Sequence, residues 1–284
     1  MNIKVFFRVG GGIGNQLFVY FTGKALERKG YKVKFDLKSG FFLDKHSREP
    51  ILQKLDLNLR KSNWFEIAYF FIAKNLRESK IGSYTKELSP REFTKLNSFK
   101  HKYNFVEGYF QSYSYFDKYK NEIIRNLNFN LIDDDEYLKY LNSIISSNSV
   151  CIHIRTLQSS ENVTIEKKRE LLDANFYKEA IKKLSLFQSN NLVFFVFAMN
   201  LSWSKKNLPK GYKYVFVEPK IKNDLFDFIL MSKCKSFIIP NSTYSWWAAY
   251  ISDSEIVYYN KQKKPIDVGV KGNYFPKHWV QINS

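Results

Sequence analysis

The chain has 284 residues, 44 % hydrophobic and 25 % charged, which suits one large domain or two ordinary ones with a real core and excludes disorder. No linker tract, low-complexity run or internal repeat interrupts it, which excludes solenoids and propellers. The formal charge of +18 points to polyanionic partners, but the lysines are scattered and no zinc-finger or RNP signature accompanies them, so nucleic acid is not an expected partner.

A first strand is expected over Ile3 to Val9, where Arg8 interrupts the apolar run too early for a signal-peptide core. A turn over Gly10 to Asn15, a helix over Gln16 to Lys29 and a strand over Lys32 to Asp36 follow. Trp64, Phe65, Ile67, Ala68, Tyr69, Phe70, Phe71, Ile72 and Ala73 then form a dense apolar run, flanked by Lys54, Arg60, Lys61, Lys74, Arg77 and Lys80. It falls far short of the ~20 residues needed to cross a bilayer. It reads as a helix of the first domain, aromatic all round because it packs on both sides. The alternative is an interfacial anchor on an anionic membrane. Asp133, Asp134, Asp135 and Glu136 read as a solvated linker, since no apolar strand delivers their Asp-x-Asp spacing to a site.

A second alternation begins near Ser149. Its strands are expected at Val150 to Arg155, Leu192 to Ala198, Tyr214 to Val217, Phe237 to Ile239 and Ile256 to Tyr259. Its helices are expected near Asn175 to Leu186, Leu225 to Lys233 and Tyr244 to Ile251. The pattern implies α/β layers with mostly parallel sheets, as two Rossmann-like domains over residues 1–140 and 141–284. Ligands are expected in the crevice at the carboxyl ends of their strands. Cys151 and Cys234 lie in apolar segments without disulfide or metal spacing, which fits a reducing cytoplasm.

Three strand-to-helix junctions carry candidate chemistry. Gly10-Gly11-Gly12-Ile13-Gly14-Asn15 departs from the dinucleotide fingerprint, which needs glycine where Asn15 stands. Its glycines permit close backbone approach, and the following helix start suits a phosphate or an anionic transition state. On glycine content alone Asn15 reads equally as a helix cap. His153-Ile154-Arg155 ends the strand that opens the second half, so Arg155 emerges at the crevice, where a guanidinium can hold a diphosphate bidentately. Taken singly, a surface ion pair and a packed histidine explain these two as well. Asn241, Ser242, Thr243 and Ser245 crowd donors at a third helix start, with Trp246 and Trp247 read as core.

Taken together, these junctions resemble the bacterial α-1,2-fucosyltransferases of glycosyltransferase family 11. The likeness rests on Gly11 to Phe18, Gly108 to Ser112, Asp227 to Cys234 and Asn241 to Trp247, four motifs in order across nearly the whole chain. It departs at Thr156, Leu157 and Gln158, where the family has a second arginine and an acid, and at Ala198-Met199-Asn200. Both departures fall where the donor is expected to bind.

The resemblance implies a GT-B-like fold and inverting transfer of L-fucose from GDP-fucose to a galactose 2-hydroxyl in surface-polysaccharide (O-antigen) synthesis. GDP-fucose is the co-substrate, with no cofactor and no metal. The acceptor is an oligosaccharide or lipid-linked glycan, and the enzyme is cytoplasmic or peripheral to the inner membrane. Donor contacts are expected from Gly12, Gly14, Arg155, Asp227, Asn241, Ser242, Thr243 and Ser245. Asn15 is expected to orient the sugar or acceptor. Asp36, matching an aspartate common in the family, is the candidate base with His153 behind it; a strand-terminal cap is the alternative for Asp36. The rival readings are another linkage or nucleotide sugar, and a non-catalytic polyanion- or nucleic-acid-binding protein.

Overall fold

Arg8, Asp36 and Glu107 stand in one row at the carboxyl ends of three parallel strands, and that row locates the working edge of the first sheet. The structure is a computed structural model describing residues 3–42, 44, 46–55, 57, 59–76, 82–86, 99, 101–128, 132–155, 173–188, 191–252, 254, 256–260 and 274–282. The chain divides into two compact units, Met1–Asn128 with Val268–Pro276, and Phe129–Asp267 with Lys277–Ser284.

In the first unit, β1 (Lys4–Arg8), α1 (Ile13–Arg28), β2 (Lys32–Asp36), α2 (Trp64–Leu76), β3 (Gly82–Lys86), β4 (Tyr103–Glu107) and α3 (Lys120–Arg125) follow in order. The strands pair in parallel in the order β2-β1-β4-β3. Val5, Phe6 and Phe7 fill the centre of β1, as expected of a strand covered on both faces. Along α1, Phe21 meets Phe116 and Tyr20 meets Phe35, with ring centroids 5.3 and 5.9 Å apart.

One expectation fails here. The helix α2 is buried on one side only: Ile67, Phe70 and Ala73 are buried, the latter two in one cluster with Phe6 and Phe105, while Trp64, Phe65, Phe71, Ile72 and Leu76 are exposed. The aromatic residues run all round the helix, but the sheet covers a single stripe of it. Its start is set locally by a capping box. Asn63 Oδ1 accepts from Glu66 N at 2.9 Å, and Glu66 Oε2 accepts from Asn63 N at 3.0 Å.

The second unit runs α4 (Asp135–Ser146), β5 (Asn148–Ile154), α5 (Ala174–Phe187), β6 (Leu192–Ala198), α6 (Leu201–Asn207), β7 (Lys213–Phe216), α7 (Asp224–Ser232), β8 (Ser236–Ile239), α8 (Thr243–Ser252), β9 (Val257–Tyr259) and β10 (Val280–Gln281). All pairings are parallel, in the order β10-β9-β8-β5-β6-β7. From β5 the chain winds one way through β6 and β7, then returns to β8 and winds the other way. This is the doubly wound Rossmann order, and its topological switch point lies between β5 and β8.

A division at 140/141 would cut α4, which lies wholly in the second unit; the units instead part at 128/129. Asp134 caps α4, its carboxylate accepting from Glu136 N and Tyr137 N at 2.9 and 3.0 Å, so the acidic run starts a helix rather than serving as a linker.

Candidate active site

The first unit also has a switch point, between β1 and β4, and two sequence motifs meet there. After β1 the chain turns through Gly11 at φ +77°, where an added Cβ would lie 2.8 Å from the Asn15 side-chain nitrogen. Only glycine fits there without strain. The helix begins at Ile13 with Gly12 as its cap, so Asn15 sits inside the first turn and is not the cap. Around Gly12 nothing lies within 4 Å of where a Cβ would stand, so the space above this helix start is open; Gly14 is buried beneath it.

Asn15 is instead gripped from the side: its Oδ1 accepts from Gln111 Nε2 at 2.8 Å. Gln111 is aimed by Phe110, which takes a left-handed conformation (φ +52°) and buries its ring edge-on against Phe7 at 5.3 Å. Gln16, which sequence reasoning left without a role, is buried and fully used. Its Nε2 donates to the Gly11 and Glu49 carbonyls, both at 2.8 Å, and its Oε1 accepts from Leu52 N at 3.3 Å.

Asp36 ends β2 with both oxygens committed to the next turn. Oδ1 accepts from Lys38 N and Ser39 N at 3.0 and 2.9 Å, and Oδ2 accepts from the Ser39 hydroxyl. It is a buried cap, and that bonding leaves it little of a base's freedom. The network continues outward. Arg8 donates to Ser39 Oγ, to the Ser39 carbonyl and to Glu107 Oε1 at 3.0, 2.9 and 2.7 Å. Glu107 also takes hydrogen bonds from Tyr84 and from Lys74, the latter at 2.9 Å. Burial pushes the Glu107 carboxyl up, but those donors and the charges of Arg8 and Lys74 outweigh it and hold it below the ordinary carboxylate range.

In the second unit the switch point carries Arg155 immediately after β5, Asn241 and Ser242 between β8 and α8, and Thr243 as the first residue of α8. The Tyr177 hydroxyl accepts from Arg155 N at 3.4 Å and donates to the His153 carbonyl at 3.2 Å, fixing the strand end from α5. Tyr244 ties the neighbouring elements together. Its hydroxyl donates to the Asp224 carbonyl of α7 at 2.5 Å, and its ring lies 5.7 Å from that of His153.

His153 and Asp227 are the strained members. Burial, with the charges of Arg155 and Lys222, lowers the His153 pKa to about 3, so the imidazole is neutral at pH 7 and too weak a base to take a proton there. Its Nδ1 is buried without a hydrogen-bond partner. Burial raises the Asp227 pKa to about 6 against the opposing pull of Lys222 and of a hydrogen bond from Tyr137; one carboxylate oxygen has no partner.

The remaining predicted residues divide. Asn241 and Thr243 are half-buried, whereas Ser245 is fully buried and its hydroxyl donates to the Ser242 carbonyl at 3.5 Å, inside the helix rather than toward a ligand. Trp246 and Trp247 are core. Asn200 caps α6 by accepting from Trp203 N at 3.0 Å, and Met199 is exposed. Thr156, Leu157 and Gln158 lie outside the described residues. Among the described residues no group of three or more His, Cys, Asp or Glu is placed to hold a metal.

The family model for glycosyl transferase family 11 matches residues 51–283. The chain is 30 % identical over 269 residues to an α-1,2-colitosyltransferase of Escherichia coli, covering 88 % of each protein. It is 25 % identical over 271 residues to the O-antigen biosynthesis glycosyltransferase WbnK of Escherichia coli, covering 86 % of this chain and 89 % of that one. Among solved structures it resembles the NodZ α-1,6-fucosyltransferase soaked with GDP-fucose, with a TM-score of 0.51 at 14 % identity over 88 % of this chain and 92 % of that one. A mutant of Arabidopsis thaliana FUT1 in complex with GDP gives a TM-score of 0.50 at 11 % identity, over 93 % of this chain and 71 % of that one. These likenesses show the fold: two parallel α/β units of the GT-B-like kind.

Proposed function

Because the chain belongs to glycosyl transferase family 11, we propose that it transfers L-fucose from GDP-fucose to the 2-hydroxyl of a galactose in a glycan, in α-1,2 linkage and with inversion. The observation that carries this reading is the switch point of the second unit. There Arg155 follows β5, Asn241 to Thr243 follow β8, and Tyr244 bridges α7 and α8.

A diphosphate seated at that point meets a guanidinium fork and the N–H groups of a helix start, which stabilise it most as it departs and its leaving oxygen gains a further negative charge. Protein cations then do the work a divalent ion does elsewhere, and transfer proceeds without metal. Asn241 and Thr243 supply donors for phosphate or ribose. Asp36 and His153 have little of a base's character, which favours a transition state with oxocarbenium character that draws little on a base. The open space above Gly12 leaves room for sugar or acceptor, and Gln111 holds the Asn15 side chain in the first turn of the same helix.

The α-1,2 linkage takes its support from the colitosyltransferase of that linkage, and the role in surface polysaccharide from WbnK. The same relative favours a second reading, in which the donor sugar is colitose, L-fucose lacking its 3-hydroxyl.

A panel of GDP-fucose, GDP-colitose and other nucleotide sugars separates these readings, with nucleotide diphosphate release measured with and without galactose-ended glycans. Acceptor-dependent GDP release from GDP-fucose that persists in EDTA, with an α-linked product from the β-linked donor, is the expected result. Preference for GDP-colitose selects the second reading. Salt-steep binding to duplexes without any turnover would overturn both.

A further inference from the structure

The outer face of α2 has no role in the chemistry above, yet among the described residues it carries most of the exposed large apolar side chains of the first unit. At about 100° per residue, Trp64, Phe65, Ala68, Phe71, Ile72 and Leu76 fall within an arc of roughly 140°, interrupted only by Asn75. Ile67, Phe70 and Ala73 occupy the opposite, buried arc. Phe65 is 87 % and Trp64 66 % exposed, values that rule out a packed role for either ring. Phe42, 84 % exposed, projects from the loop that also carries Lys38, whose Nζ sits 4.1 Å over the Trp64 ring.

The one carboxylate of α2, Glu66, lies off this face, paired with Lys34 at 2.6 Å and tied into the capping box. Arg60 and Lys61, exposed just ahead of the helix, make no ion pair among the described residues. Trp and Phe on one side with uncompensated cations at the margin is the make-up of a helix that lies in the headgroup region of a bilayer. No helix among the described residues is long and apolar enough to cross a membrane.

We propose that the outer face of α2 docks the first unit on an anionic phospholipid surface. A second copy of the chain fits less well. The helix is about 20 Å long and about 10 Å wide, so it offers on the order of 200 Å², against ~800 Å² per partner in a stable interface. The proposal is independent of which sugar is transferred.

The test is co-sedimentation with vesicles of phosphatidylglycerol and phosphatidylcholine in equal parts, against phosphatidylcholine alone, across a salt series. Binding to the anionic vesicles is expected at low salt and fades as salt rises. Among the five tryptophans only Trp64 is well exposed, so its emission shifts to the blue on binding and is quenched by brominated lipid. The double variant Phe65→Ser, Ile72→Ser keeps its circular dichroism and its transfer to a water-soluble acceptor but partitions at least about tenfold less. Arg60→Gln and Lys61→Gln each weaken binding about fivefold. No sedimentation at low salt, equal binding to phosphatidylcholine alone, or wild-type partitioning of the double variant overturns the proposal. So does a dimer in sedimentation velocity that the double variant dissolves, which assigns the face to a second copy.

Discussion

At the carboxyl edge of the first sheet, Asp36, Ser39, Arg8, Glu107, Tyr84 and Lys74 form one continuous chain of donors and acceptors. At the same edge of the second sheet, His153 Nδ1 and an oxygen of Asp227 are buried with nothing to bond. Both edges lie beside topological switch points, and both carry charge. The first has satisfied its charges internally and holds a fixed shape for the glycine loop. The second carries polar groups that cost about 1–3 kcal/mol each while unsatisfied, which is tolerable where a ligand supplies the missing partners.

The largest effect that sharpens this contrast is expected at Arg155. Arg155→Ala lowers kcat/KM for transfer by about 10³-fold with the fold intact, and Arg155→Lys recovers little, since a point charge does not replace a bidentate fork. Steady-state kinetics beside circular dichroism reads this; wild-type rates in Arg155→Ala would remove the diphosphate from the second edge.

Breaking the satisfied edge has a different signature. Glu107→Gln leaves Arg8 and Lys74 without their carboxylate and costs about 1–3 kcal/mol, discounted for partial exposure. The melting temperature falls by several degrees while KM for the donor stays put. A raised donor KM at unchanged stability would make the first edge a donor site.

Asp227 gives a pH test of the unsatisfied edge. Its folded-state pKa of about 6 lies above the ordinary 3.8, so between those values the folded protein holds the proton more tightly than the unfolded chain. Stability therefore falls as pH rises through that window. Asp227→Asn removes the dependence and stabilises the protein near neutral pH by on the order of 3 kcal/mol, seen as a higher melting temperature, a gap that closes by about pH 4. Thermal melts of both proteins across pH show whether the gap opens; a constant gap would mean that the carboxyl is solvated.

The smallest effect on turnover is expected at Asp36. Asp36→Asn retains kcat within about tenfold, because its oxygens hold a turn, and loses about 1 kcal/mol of stability. A loss of several orders of magnitude, with the acidic limb of the pH profile gone, would restore it as the base.

Much of this edge architecture was legible from residues 11–18, 108–112 and 241–247, because strand-to-helix junctions announce themselves by an apolar run meeting glycine or hydroxyl residues. The strands β3 and β4 were not legible. Gly-Ser-Tyr-Thr-Lys has no apolar run, and Tyr-Asn-Phe-Val-Glu has the buried Asn104 as its second residue, which makes sense only once its Nδ2 donates to the His101 carbonyl at 2.7 Å. The Arg8–Glu107 pair spans 99 positions and leaves no local signal. Composition likewise cannot say which side of an aromatic helix is covered, so α2 read as buried until the sheet beneath it was in view. The tyrosines that organise the second switch point, Tyr177 and Tyr244, carry no local signal, because their hydroxyl partners are backbone groups of other elements.

The return of residues 268–276 to the first unit makes that unit discontinuous in sequence. Tyr274 lies 6.1 Å from Phe18 of α1, so a gene fragment ending at residue 128 encodes a first unit with its core open at that ring. Such a fragment is expected to aggregate on expression, and a single proteolytic nick at 128/129 releases neither half. Domain-swap chimeras between relatives must therefore exchange the terminal segment together with the first 128 residues, or they will splice one parent's α1 to the other's tyrosine.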